Sequence, residues 1–332
     1  MQVATGPTVG MEAVPVKETV LLFPFDKGQE ATLRGKLLVL FRDTVETFKL
    51  RITAMVVLTS WAGFRLGAMQ SGTRPFSLAL LEALFGIGLV TCGASVLNEV
   101  IERHSDAKML RTANRPLAAG RMGVLYGALL GVSCIACGSL WLVILANFLT
   151  GILTLLTAIT YVALYTPLKR LTPLATFVGA FPGAMPPLLG WTAMRGKVEW
   201  PALALFAILF TWQIPHFMAI AWLYREDYRR ARIRMLPVVH PDGRSTAQVA
   251  LADLLLLLPI SLLPYFLHVA GPWYFVAAIF LGLFYLLYTV RFFRAMHTPE
   301  AGASRNFARA LLKASVVYLP LLLAALMLNA TS

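Results

Sequence analysis

Charge is scarce in this chain of 332 residues: Asp, Glu, Lys and Arg make up only 14% of it, against roughly a quarter in ordinary soluble domains. With 58% of the residues apolar, a water-soluble globular domain is excluded and the membrane class is indicated. Acidic residues are the rarer sign, 16 against 29 Lys and Arg. Cysteine is rarer still. Cys92, Cys134 and Cys137 all fall in apolar stretches, where a pair three residues apart reads as helix packing, not as a redox or metal motif. Low-complexity tracts and short-period repeats are lacking. So is any apolar core behind a basic start, or an Arg/Ser-rich amphipathic pattern, so the first 45 residues are expected to be a cytoplasmic extension and not a signal or transit peptide. Within it, Thr19 to Phe25 is apolar but too short to span a bilayer.

What the chain has in abundance is long apolar runs. Nine are long enough to cross a bilayer as helices: 52–70, 77–100, 123–143, 147–166, 172–193, 201–223, 249–269, 272–292 and 310–329. They predict an all-α polytopic membrane protein, with an N-terminal extension over 1–45 and a nine-helix membrane domain over 46–332. A net charge of +13 would suit a nucleic-acid binder, but its distribution excludes that. With the N-terminus in the cytoplasm, only Arg65, Arg74, Arg195 and Lys197 of the 29 basic residues fall on the far side. This is the positive-inside bias, and it puts the C-terminus outside. The two long charged loops, 103–121 and 224–248, are both inward.

The first of these loops follows a motif. Asn98, Glu102 and Asp106 are spaced at i, i+4 and i+8, which on a helix aligns three oxygen ligands along a stripe about 12 Å long. Oxygen ligands in a row suit a hard cation, and magnesium binds through one or two carboxylates plus substrate phosphates. Arg111, Asn114 and Arg115 follow, with guanidinium forks that match phosphate oxygens. Lys108 and Arg121 read as ordinary inward charge, whereas Asn98 and Glu102 lie inside an apolar run, where polar residues are costly and usually functional.

A second constellation runs from Thr211 to Val239 and places Asp227, beside Glu226, at the same membrane face as the first. Lys49 and Arg51 at the mouth of the first span, and Tyr165, Lys169 and Arg170 after the fourth, share that face; each reads either as an interfacial residue or as a phosphate contact. His216, after Pro215, reads from spacing alone as a hydrogen-bonded core histidine before it reads as a metal ligand. Glu82 and Asp253 are embedded acids outside both motifs. In the fifth run, Gly179 to Trp191, small residues permit close helix approach, and three prolines are expected to break the helix beside a substrate chamber.

At these residues the chain resembles the UbiA superfamily of intramembrane prenyltransferases, over roughly residues 45–325. The superfamily's first acidic motif is matched by Asn98, Glu102 and Asp106 followed by Arg111, Thr112, Asn114, Arg115, Pro116 and Leu117. Trp212 to Phe217 (WQIPHF) and Tyr224 to Val239 resemble the haem-modifying branch, with departures at His104, Glu226 and Leu50. The resemblance implies a helix bundle around a membrane-open cavity, with its active site towards the cytoplasm. The implied reaction moves a farnesyl group from farnesyl diphosphate to a vinyl group of haem B, giving haem O. It further implies Mg²⁺ held by Asn98, Glu102, Asp106 and Asp227, and diphosphate held by Lys49, Arg51, Arg111, Asn114, Arg115 and Lys169, with His216 facing the haem. A bacterial inner-membrane location follows, in contact with lipid, with the next haem-modifying enzyme or oxidase assembly factors as further partners. Two other readings fit the bare residues: a prenyltransferase acting on an aromatic acid or quinone precursor, and a transporter.

Overall fold

A computed structural model describes residues 33–73, 76–297 and 304–331. Most of the expected extension, including Thr19 to Phe25, lies outside the described residues, as does Arg74. The chain divides into two compact units, Met1–Phe41 and Arg42–Ser332. What is described of the first is helical, the beginning of α1 (Leu33–Thr47).

The second unit is a helix bundle. In order it carries α2 (Leu50–Gln70), α3 (Leu78–Asp106), α4 (Val124–Leu145) and α5 (Phe148–Ile159), the last continuing through a π-helical stretch, Thr160–Tyr165, into α6 (Thr166–Leu168). Then come α7 (Ala175–Arg195), α8 (Trp200–Leu223), the short α9 (Arg225–Arg230) and α10 (Leu236–Val239), α11 (Arg244–Ile260) running on to α12 (Leu263–Phe266), α13 (Pro272–His297) and α14 (Ser304–Leu328).

Among the described residues, eight helices are long and apolar enough to cross a membrane. The remaining expected span, the fifth at 172–193, is α7, whose hydropathy is diluted by prolines and glycines. At 21 residues it is still about 31 Å long, the thickness of a hydrocarbon core. The expected break in it does not occur: Pro182, Pro186 and Pro187 all sit inside one continuous helix. Each proline removes a backbone donor, but all three are buried, and α2, α5 and α8 pack on α7 and support it as one helix. The glycines serve as expected. A Cβ at Gly63 of α2 would collide with the carbonyl oxygen of Pro187, and one at Gly190 with that of Ser60, so α2 and α7 touch backbone to backbone.

Several helices outrun their apolar segments. The eighth extends to His297 instead of 292, the ninth begins at Ser304 instead of 310, and the seventh begins at Arg244 instead of 249. The added turns carry Arg and polar residues that belong to the interface, where hydropathy falls but helical hydrogen bonding continues. The second span matters most, because its overrun to Asp106 carries Glu102 and Asp106 into the site on a rigid helix.

Successive spans run in opposite directions, giving the bundle two rims. At one, Lys49 meets Asn98, Arg121 meets Asp43 and Lys169 meets Glu102. At the other, Gln70 bonds the carbonyls of His268 and Thr331, Asn147 that of Thr192, and Arg195 the hydroxyl of Ser71. Between the rims, Trp191, Tyr274, Tyr285 and Tyr318 form a fully buried aromatic core, while Leu125, Ile144 and Phe280 face outward, as lipid contact requires.

Candidate active site

The site gathers at the first rim, around the end of α3. Asn98 is its centre: its Oδ1 accepts from Lys49 Nζ at 3.0 Å, and its amide donates to Glu102 Oε2 at 3.0 Å and Thr166 Oγ1 at 3.1 Å. Glu102 Oε1 receives Lys169 Nζ at 2.8 Å. Asp106, one turn on, is bound by Arg115 Nη1 at 2.8 Å, and its backbone carbonyl accepts from Thr112. Asn98, Glu102 and Asp106 are all buried, so each polar group needs a partner.

Local backbone features aim the cations inward. Lys49 adopts a left-handed conformation, φ 49°, between α1 and α2, which a non-glycine residue holds only when its surroundings over-determine it. Burial, followed by the charge of Arg115, lowers the Lys49 amine to about 8. The π-helical stretch interrupts the α-helical register just before Thr166 and Lys169, which both reach α3. Burial works against the charge of Lys169, but Tyr165, its ring 4.5 Å away, and Glu102 more than offset this and hold the amine above its ordinary range.

Glu99 joins this group although it was no part of the expected set. It is buried between Lys49, at 3.6 Å, and Arg115, at 3.7 Å. The i, i+4, i+8 pattern passes it by, but Glu99, Glu102 and Asp106 follow i, i+3, i+7, the other spacing that shares a helix face. Glu99 Oε2 and Asp106 Oδ1 are buried without a hydrogen-bond partner. Both are oxygens of the kind a hard cation takes, seven residues apart on α3 on either side of Glu102.

The second charged loop closes over the first. Arg111 lies over the rings of Tyr224 and Tyr228, at 5.0 and 5.9 Å, and the Arg234 amide donates to the Lys169 carbonyl at 2.9 Å. Asp227 on α9 is buried, but its ion pair is with Arg230 of its own helix, not with the cations of α3. No group of three or more His, Cys, Asp or Glu among the described residues is arranged as a metal site. Arg51 is exposed on α2, and Asn114 is exposed with its carbonyl bonded by Arg121. Lys49, Asn98, Glu102, Asp106, Arg115 and Lys169 are therefore brought together, whereas Asp227, Arg51 and Asn114 stand apart from their bonds.

His216 belongs to a different part of the bundle, on α8 against α14. Its ring is half-buried, stacked on Trp212 at 5.2 Å, with Nδ1 2.7 Å from Ser315 Oγ. Asp253 on α11 is buried with Oδ2 unpartnered.

Comparison with known proteins gives this arrangement a lineage. The model of the UbiA prenyltransferase family matches residues 56–313. The Protoheme IX farnesyltransferase of Koribacter versatilis is 50% identical over 292 residues, spanning 88% of this chain and 94% of its own. Among solved structures, a digeranylgeranylglyceryl phosphate synthase superposes with a TM-score of 0.72 at 16% identity, covering 87% of this chain and 98% of that one. A UbiA homolog from Archaeoglobus fulgidus, bound to GPP and Mg2+, superposes with a TM-score of 0.57 at 15% identity, covering 86% and 99%. With its helices, charged rim and acidic motif accounted for together, this chain is a multi-pass membrane protein that belongs to the UbiA prenyltransferase family.

Proposed function

We propose that this chain transfers a farnesyl group from farnesyl diphosphate to a vinyl group of haem B, releasing diphosphate and giving haem O. The observation that carries the transfer chemistry is the Lys49–Asn98–Glu102–Lys169 cluster, buried at the rim of an apolar bundle beside two unpartnered carboxylate oxygens. The acceptor is supported by the half-identical protoheme farnesyltransferase.

Asn98, Glu102 and Asp106, with Glu99 beside them, would hold magnesium, and Asp227 would join from α9. Bound there, magnesium supplies positive charge to the departing diphosphate, as the Mg2+-bound family structure supports. Lys49, Arg111, Arg115 and Lys169 supply fixed cations for the same oxygens. As the bond between farnesyl C1 and oxygen breaks, its electron pair leaves with the diphosphate, and these preorganised charges stabilise it. The vinyl π electrons form the new carbon–carbon bond, and water adds to the resulting cation with loss of a proton. An apolar chamber keeps water from the allylic cation until that bond has formed. The distribution of Lys and Arg supports an inner-membrane orientation with the charged rim in the cytoplasm.

The test is to incubate the purified protein with haem B, farnesyl diphosphate and magnesium and to analyse the haem by chromatography and mass. Haem O should form and should be lost on chelation. Prenylation of a quinone precursor instead of haem would overturn the acceptor while keeping the cradle.

A further inference from the structure

Ser315 of α14 is fully buried and makes two contacts of the same length. Its Oγ lies 2.7 Å from the Leu312 carbonyl oxygen and 2.7 Å from His216 Nδ1. A hydroxyl has one proton, a carbonyl only accepts and an imidazole nitrogen can do either, so both contacts are hydrogen bonds only with the proton on the Leu312 side. The contact with His216 then has one remaining sense: Nδ1–H donates and Oγ accepts. In the neutral imidazole this leaves the lone pair on Nε2. Nε2 makes no hydrogen bond among the described residues, and the residue is half-buried.

The same residue fixes the plane of the ring. The Ser315 carbonyl accepts from Trp212 Nε1 at 2.9 Å, and the imidazole is stacked on that indole at an interplanar angle of 26°. Tyr285 bonds the Trp212 carbonyl at 3.3 Å. One position on α14 thus sets both the tautomer of His216, through its hydroxyl, and the platform under it, through its carbonyl. Histidines that bind metal are held in this way, by a partner on the other ring nitrogen.

We infer that Ser315 is a positioning residue that holds His216 in the Nδ1–H form, so that Nε2 can ligate the iron of the haem substrate. The inference rests on the reading of haem as acceptor and of His216 as the residue facing it.

The experiment titrates purified wild-type protein and variants with haem B and follows absorption and the iron–histidine stretch by resonance Raman spectroscopy. Ser315→Ala should weaken haem binding by about ten- to a hundred-fold, the usual cost of losing such a partner, and should weaken or shift the iron–histidine band. Ser315→Thr and Ser315→Val have the same shape and differ in the hydroxyl: the Thr variant should keep the wild-type spectrum and the Val variant should lose it. This pair decides the matter even where the Ala variant fails to fold. Magnesium-dependent binding of farnesyl diphosphate, at the other site, should stay unchanged in every folded variant. Equal losses in the Thr and Val variants would mean packing alone and would overturn the inference. So would a wild-type spectrum in Ser315→Val while His216→Ala loses the band, leaving the haem reading intact. A His216→Ala protein with an unchanged haem spectrum would instead remove the reading beneath it.

Discussion

Lys169 donates to Glu102 over 2.8 Å, joining the end of the fourth span to the end of the second, with both side chains largely buried. Removing one partner of such a pair strands a charge and costs about 3–5 kcal/mol, more than the pair itself contributes. Lys169→Met should therefore lower the unfolding midpoint in detergent sharply. Adding Glu102→Gln should restore much of that midpoint but no turnover. Activity in the doubly substituted protein would show that the pair is structural only.

Glu99 should behave in the opposite way. Its Oε2 is buried without a partner, and its two ion pairs are long, 3.6 and 3.7 Å. Lys49 and Arg115 keep closer partners in Asn98 and Asp106, so Glu99→Gln strands neither cation and should leave the midpoint little changed. Turnover with farnesyl diphosphate should fall by about 10²-fold or more, the scale of losing one electrostatic contact to a developing charge. Arg51→Ala, at an exposed position outside the cluster, should leave the same assay within about two-fold, since surface changes have little energetic effect.

The α2–α7 contact leaves no room for a side chain. Gly63→Ala should cost at least the upper end of about 1–3 kcal/mol, because the obstacle is the carbonyl oxygen of Pro187 and not a movable side chain. Gly123→Ala, where nothing lies within 4 Å, should stay within about 0.5 kcal/mol. Thermal unfolding of the two variants side by side measures the difference.

At the rim away from the site, Glu199 stands between α7 and α8. Hydrogen bonds from Arg195 above all, and from Lys197 and Trp191, outweigh a small burial effect and bring its carboxyl to about 2 from 4.5. A lowered carboxyl stabilises the fold above its unfolded value and loses that contribution as pH falls through the folded one. The unfolding midpoint should therefore fall between about pH 4.5 and 2, and Glu199→Gln should flatten that part of the profile. Parallel profiles for the two proteins would count against it.

The spans were legible because a bilayer imposes one demand, a long apolar run, and the sequence meets it nine times. Helix ends were less legible, because an interfacial turn rich in arginine is helical without being apolar; α13 to His297 and α14 from Ser304 are the cases. In the site, Asn98, Glu102 and Asp106 announced themselves through spacing. Glu99 is less visible, because a helix face admits two spacings and Glu99 belongs to the i, i+3, i+7 series and not to the i, i+4, i+8 one. Neither the left-handed turn at Lys49 nor the π-helical stretch before Thr166 has a local composition that announces it. Both are set by what the chain must reach across the bundle, and so is the Ser315 contact with His216.

Gln70, at the end of α2, bonds the carbonyls of His268 and Thr331, and the Thr331 amide in turn bonds Val269. The first span is thus stitched to the segment that follows the last, as a drawstring closes a purse at one end. Any parting of α2 from α14 would therefore be tethered at that seam, leaving the opposite, charged rim as the end with room to give.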